Sequence, residues 1–294
     1  MSKNKLVFEE VDQLQKVSSQ TLTIDDDKKS NNRLSFLTFW LFTLFFLVAL
    51  QIVIGGLTRL TDSGLSIVEW KPIVGAIPPL TEEKWAVEFE KYKGTYEFLV
   101  VNHSMSINEF KTIYWWEWGH RQLGRFIGLI WFFGFLTLLL RRQIPPLWTS
   151  KLVSLGVLGA LQGAIGWWMV SSGLQGQSID VASYRLAIHL TLAFSIIGLI
   201  CWYILLSDKS TQDLMLARRS QESKLVRLCN IFLGLLFLQI ILGALVAGIG
   251  AGQSYNDWPL MGGEVFPSDY LEYTPLYLNL LDNPASVQFN HRIV

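Results

Sequence analysis

Cysteine is almost absent from this chain. Cys201 and Cys229 are the two in 294 residues, and neither belongs to a CxxCH motif. This excludes covalently attached c-type heme and a disulfide-built scaffold. Both cysteines fall near the inner ends of apolar runs, so they read as packing residues. Charge is scarce too: charged residues make up 16% of the chain, with 24 basic against 24 acidic side chains, whereas a soluble domain carries about a quarter. A neutral balance leaves no basic footprint for nucleic acid. The first 33 residues lack an early apolar core, are not arginine-rich, and hold Glu9, Glu10 and Asp25 to Asp27. They match neither a signal peptide nor a transit peptide and read as a disordered cytoplasmic tail.

What the chain has instead is long apolar runs. Arg33 to Arg59 encloses 25 uncharged residues, and a bilayer span needs about 20. Further runs cover roughly Trp118–Leu140, Leu152–Leu174, Arg185–Leu206 and Leu228–Gly250, and a sixth begins near Val287. The expected fold is an all-α integral membrane protein surrounded by lipid. Basic residues set its orientation. They populate the tail, the second connection (Arg141, Arg142, Lys151) and the fourth (Lys209, Arg218, Arg219, Lys224, Arg227), but are missing from Gln175–Tyr184 and Gly252–Ser286. The tail and the even-to-odd connections therefore face the cytoplasm. The first outer loop, 60–114, is too long for a plain connector. Glu82-Glu83 after Thr81 start a short interfacial helix with Trp85, Phe89 and Tyr92 on one face. Ser106-x-x-Glu109 is a capping box for a helix that runs on into the membrane at Trp115. The tryptophans at 115, 116 and 118 belong to the interfacial belt.

Ionisable residues in membrane helices are costly and usually face a bundle interior, which singles out the stretch Trp115 to Arg125. Glu117 and His120 share a helical face. Gly124 and Gly128 continue that face and would leave a flat groove beside the imidazole. Arg121 and Arg125 form a cationic stripe. An imidazole, a groove and arginines suit a heme with its propionates, although His120 alone also reads as a hydrogen-bonded interfacial histidine and the arginines as membrane anchors. In the third helix Gly156, Gly159, Gly163 and Gly166 fall on one face and read as close-packing positions. His103, in the outer loop, reads as solvated.

The pattern repeats. Gln51-Ile-Val-Ile-Gly55 returns as Gln239-Ile-Ile-Leu-Gly243, with a weaker copy at Gln162–Gly166. Glu69-Trp70 returns as Asp257-Trp258, each Trp 19 residues after its Gln. Glu117-Trp-Gly-His120-Arg121 returns as Gln288-Phe-Asn-His291-Arg292. An even number of helices per copy keeps both copies in one orientation, related by an axis along the membrane normal. The expected layout is the tail 1–33, a first four-helix bundle 34–206 with its outer loop, a cytoplasmic linker 207–224, and a second bundle from 225 to 294. The second copy is incomplete after His291, so the chain reads as truncated at its C-terminus. Arg185-Leu-Ala-Ile-His189 enters from the same side as His120. Three of the four histidines, His120, His189 and His291, thus share one depth, as bis-histidine heme ligation requires.

These residues resemble the heme A synthases, in particular the alphaproteobacterial and mitochondrial subgroup. The likeness covers residues 34 to 294. It rests on Gly55-Gly56-Leu-Thr58-Arg59-Leu-Thr61-Asp-Ser63-Gly64-Leu65-Ser66, Glu69-Trp70, Pro78-Pro79, Asn102-His103, Glu117-x-x-His120-Arg121, Gln162-Gly163, Gly166-Trp167, Ser172-Gly173-Leu174, Tyr184-Arg185-Leu186-Ala187-x-His189 and Phe289-Asn290-His291-Arg292. The resemblance implies two parallel four-helix bundles, here five spans and the start of a sixth. It implies heme O as substrate between His120 and His189, and a b-type heme on His291 and a histidine of the last helix. It implies oxidation of a heme O methyl to a formyl group, with water as oxygen source and an external electron acceptor, to give heme A for cytochrome c oxidase. Glu117 would take protons, or orient His120 by a hydrogen bond. Arg59, Arg121 and Arg125 would reach the propionates. The setting would be a bacterial inner membrane or the mitochondrial one, with the heme O synthase as neighbour and a homo-oligomer left open. Read from the residues alone, a bis-histidine cytochrome b exchanging electrons with quinone competes with the enzyme. A transporter fits less well, because its polar residues belong near the midplane.

Overall fold

A computed structural model describes residues 36–294; the acidic tail lies outside the described residues. Five helices are long and apolar enough to cross a membrane: α1 Phe36–Leu60, α4 Ile107–Leu140, α5 Thr149–Gly173, α6 Ser183–Ser207 and α8 Ser223–Gly248. Between them lie α2 Glu82–Lys93, α3 Tyr96–Val100 and α7 Thr211–Arg219, and the chain closes on α9 Leu278–Leu281 and α10 Pro284–Ile293. The integral membrane class follows, and α10 is the helix that begins near Val287. It starts earlier, at Pro284, because Asn283 caps the N–H groups of Ala285 and Ser286 and proline occupies the first turn.

The capping box is formed: Ser106 accepts from the Glu109 N–H while the Glu109 carboxylate accepts from the Ser106 N–H. The helix it starts runs 34 residues without a break. The sequence pattern of α1 explains where it docks. Leu37, Trp40, Leu41, Leu44 and Val48 lie on one face, and all are buried with Leu138, Leu152, Leu155, Ile196, Ile200 and Tyr203. This cluster seals the end of the first bundle that lies away from the 60–114 loop. Because lipid is as apolar as leucine, packing has to come from fit and from small residues. Gly134 and Gly156 supply the fit. A Cβ at Gly134 would overlap the Trp40 indole, and one at Gly156 the Trp131 indole. The two indoles then donate to the backbone oxygens of Ile130 and Leu152 at 2.9 and 3.0 Å.

The two sequence copies meet along α6 and α8, the most extensive described helix pair. Gly248 lies against Ser183, whose hydroxyl donates to the Leu281 oxygen and to Asp282 at 2.9 Å each. Arg59 ties the same junction, donating to the Ala247 oxygen and pairing with Asp62 and Asp180. The cysteines are not packing residues. Cys201 and Cys229 are both free and exposed, because an apolar helix in a membrane also turns apolar side chains toward lipid.

Candidate heme site

The site lies in the half of the bundle next to the 60–114 loop. His120 and Gly134 are on one helix, so site and apolar plug are roughly 20 Å apart along its axis. Each histidine is held in the same way. Gln51 of α1 donates to the backbone oxygen of His120 at 3.0 Å. Gln162 of α5 donates to that of His189 at 3.0 Å, and Gln239 of α8 to that of His291 at 3.1 Å. Four residues on, a glycine takes the imidazole. A Cβ at Gly55 would stand 3.0 Å from His120 Nε2, one at Gly166 2.8 Å from His189 Cε1, and one at Gly243 2.9 Å from His291 Cε1. The repeated Gln-x-x-x-Gly on α1, α5 and α8 is therefore a socket for a histidine on a neighbouring helix. The copy in α5 reads as the weakest in sequence yet makes the full socket, so Gly166 does more than pack helices. Gly156 packs on Trp131, and Gly159 and Gly163 face open space.

The sockets fit heme. The imidazoles of His120 and His189 are both half-buried. His189 and His291 each leave Nδ1 buried without a partner. Among the described residues no three His, Cys, Asp or Glu side chains gather as a bare ion site would need. Single imidazoles on separate helices are the donor set of a macrocycle's axial positions. The groove beyond His120 is narrower than the glycine spacing implies. Gly124 is covered by the Gln51 amide, 3.5 Å from where its Cβ would be, and Gly128 alone faces open space.

Glu117 and the arginines clasp the outer loop. Glu117 is 2% exposed. Its Oε2 accepts from the Ser66 hydroxyl at 2.6 Å and the Ile67 N–H at 2.7 Å, and its Oε1 from Arg121 at 2.5 Å. It makes no hydrogen bond to His120. Arg121 also donates to the oxygens of Ile67 and Glu69, and lies 6.0 Å from the Trp167 ring, which stacks on Trp70. Arg125 donates to the oxygens of Lys71 and Pro72. The motif from Gly55 to Ser66 carries α1 into the turn that delivers Ser66 and Ile67 to Glu117. In the second copy Arg292 repeats the clasp on the oxygens of Tyr255, Asp257 and Leu260, with Trp258 5.8 Å from its guanidinium. What recurs at Glu69 and Asp257 is the backbone oxygen; their carboxylates differ in use. Lys71 and Lys91 hold Glu69 down at about 2, whereas Asp257 accepts from the N–H groups of Gly262 and Gly263. Glu117 is replaced there by Gln288, which donates to the Tyr255 oxygen.

The loop forms a cap with its own core. Trp85, Phe89, Tyr92, Phe110 and Tyr114 are buried together, with Trp85 edge-on to Tyr114 at 4.9 Å and Phe89 stacked on Phe110 at 5.0 Å. The helix read as interfacial is thus packed on the head of α4. His103 is exposed. Sequence reasoning missed Glu97, which is 7% exposed with Oε2 buried and unpartnered. Burial pushes it up to about 7, and the charges of Glu117, Asp62 and Asp180 push the same way. An acid whose folded pKa is raised gives stability that is complete below its unfolded pKa and is lost as pH rises through the folded one. The unfolding midpoint of the detergent-solubilised protein should therefore fall from about pH 5 to about pH 8, with a loss on the order of 2–3 kcal/mol. Glu97→Gln should flatten that dependence, and an unchanged slope in the variant would remove Glu97 as its source.

Fold and site together define an integral membrane helical bundle that seats single imidazoles in repeated glutamine and glycine sockets. Residues 38–294 match the model of the cytochrome oxidase assembly protein family, and the chain belongs to that family. It is 55% identical to the heme A synthase of Dinoroseobacter shibae over 100% of this chain and 77% of that protein. It is 52% identical to the heme A synthase of Ruegeria sp. strain TM1040, over 99% and 77%. The heme A synthase of Cereibacter sphaeroides strain ATCC 17029 is 51% identical over 99% and 76%. No solved structure matches the chain.

Proposed function

We propose that this protein is a heme A synthase, converting a methyl group of heme O to the formyl group of heme A for cytochrome c oxidase. The observation that carries the reading is the matching glutamine and glycine socket built around each of His120 and His189, in a chain about half identical to heme A synthases. His120 and His189 would hold the substrate heme from its two sides. Water would supply the oxygen, and each oxidation would release two protons and two electrons to an external acceptor. Glu117 would take a proton at its carboxylate, which is paired with Arg121 and oriented by Ser66 and Ile67. The second copy supports this division of labour. It keeps the socket and the arginine but has the amide of Gln288 where the carboxylate stands, and an amide is no proton acceptor at neutral pH. His291 would ligate a b-type heme, which would supply one-electron transfer. With Arg59 tied to α8 and Arg121 and Arg125 to the loop, propionates would meet guanidiniums already fixed in place. We infer an inner-membrane setting with the N-terminus in the cytoplasm and the heme O synthase as supplier. An electron-carrying cytochrome b is not favoured, since a carrier has no use for a buried carboxylate beside one ligand.

The direct test expresses the chain in a host that makes heme O but lacks its own heme A synthase, and separates the extracted hemes by HPLC. Heme A, or the partly oxidised alcohol, should appear only with the protein. Unaltered heme O alongside a fully loaded protein would overturn the assignment.

A further inference from the structure

We propose that the side-chain amides of Gln51, Gln162 and Gln239 are positioning residues for the axial imidazoles, the NH2 holding the histidine backbone and the carbonyl oxygen receiving the ring N–H that does not face the iron. The inference rests on the bis-histidine reading above and goes beyond it, because it assigns the electronic state of the ligands to three residues outside the ligand set.

The same open amide occurs three times, and an open ring nitrogen beside it twice. In each socket one amide N–H is spent on the backbone oxygen of the histidine, at 3.0, 3.0 and 3.1 Å. In each socket the amide Oε1 is buried and has no hydrogen-bond partner. On the facing histidine, Nδ1 of His189 and of His291 is buried and unpartnered too. The amide and the ring are already neighbours: the Gln162 NH2 lies at 3.4 Å from His189 Nε2, so a turn of the imidazole is what would bring Nδ1 rather than Nε2 to the amide. A buried acceptor and a buried ring nitrogen left open in one socket cost free energy separately, and pairing them relieves both. Imidazoles that ligate iron generally donate their second N–H to a fixed acceptor, which sets tautomer, ring orientation and ligand basicity. The glycine four residues after each glutamine seats the ring against the same helix that carries the amide. No carboxylate is placed to do the job instead, because Glu117 is fully engaged by Ser66, Ile67 and Arg121. A neutral amide keeps the imidazole neutral, whereas a carboxylate acceptor would push it toward imidazolate and hold the ferric state more strongly.

The test uses the purified full chain in detergent with hemin as the probe, so that no turnover intervenes. Low-spin EPR signals and the midpoint potential are compared for wild type, Gln162→Leu and Gln162→Glu, with His189→Ala marking the signal that belongs to this socket. Gln162→Glu keeps the acceptor and loses the donor to the His189 backbone, while Gln162→Leu loses both. A role confined to holding the backbone would move both variants the same way. The positioning role moves the midpoint up in Gln162→Leu and down in Gln162→Glu, with the low-spin g-spread shifting in opposite senses and hemin still bound. Wild-type midpoint and g values in both variants, or shifts in one common direction, would overturn the proposal in favour of a buried water on Oε1. Should Gln162→Leu not accumulate, the Glu variant decides: a lowered midpoint supports the role, and an unchanged or raised one ends it. Wild-type protein without any low-spin signal sensitive to His189→Ala would overturn the bis-histidine reading itself, and this inference with it.

Discussion

His120→Ala should leave a folded membrane protein that makes no heme A above the host background and forms no bis-imidazole complex. The substitution removes one of two axial donors, and a neighbouring residue cannot take its place. Glu117 is bonded to the loop, Arg121 to loop oxygens, and Gln51 to the very backbone that carries the imidazole. Gly55→Val should give the same phenotype with the ligand still present, since even a Cβ there would be 3.0 Å from His120 Nε2 and the β-branched methyls would take the ring's seat. The paired result separates the socket from the ligand. Thermal unfolding of His120→Ala should change little, because the tightly packed cluster around Trp40, Leu41 and Leu152 lies roughly 20 Å away at the inner end. The measurements are hemin titration followed by absorbance, and heme A per milligram of protein. Retention of a low-spin complex by His120→Ala would mean that the pair is not His120 with His189.

The spans, the capping box at Ser106 and the aromatic face of α2 were legible because each follows from a local rule of length or periodicity. The repeat was legible as letters, and with it the three histidines. What the letters do not say is which atoms the repeated residues use. Gln51 lies 69 residues before His120 in the chain and Gly55 four residues nearer, and only the packing of α1 on α4 shows the glutamine gripping a backbone oxygen and the glycine admitting a ring. The arginines hid a partner in the same way. A guanidinium one residue after a histidine says nothing of the loop, yet Arg121 and Arg292 both turn back to the loop that precedes their helix. Glu97 had no signal, since nothing about a five-residue helix in a long loop indicates that its carboxylate will be covered by the aromatic cap. The cysteines were misread because an apolar sequence run does not tell the buried face from the lipid face.

Glu117→Gln is the substitution that divides chemistry from scaffolding at the outer loop. The amide has the shape of the carboxylate and keeps an acceptor for the Ser66 hydroxyl or the Ile67 N–H. It gives up the charge, and with it the pairing to Arg121, whose guanidinium retains the oxygens of Ile67 and Glu69. The loop should therefore stay in place and both sockets should still bind heme. What disappears is the proton acceptor, and loss of a general base costs a factor of about 10²–10⁴. Product per bound heme should fall by that factor, with heme O or the alcohol accumulating. Glu117→Ala tests the other function of the same residue. It leaves Arg121 without its partner and frees Ser66 and Ile67, and breaking a buried pair from one side costs about 3–5 kcal/mol. That variant should lose stability and heme occupancy together, which is why it is the poorer probe of chemistry. Extracting the hemes from both purified variants and dividing product by bound heme, alongside their unfolding midpoints, gives the answer. A normal yield per bound heme in Glu117→Gln, with a lowered midpoint in Glu117→Ala, would reduce Glu117 to the loop's anchor and move the proton acceptor elsewhere in the first bundle.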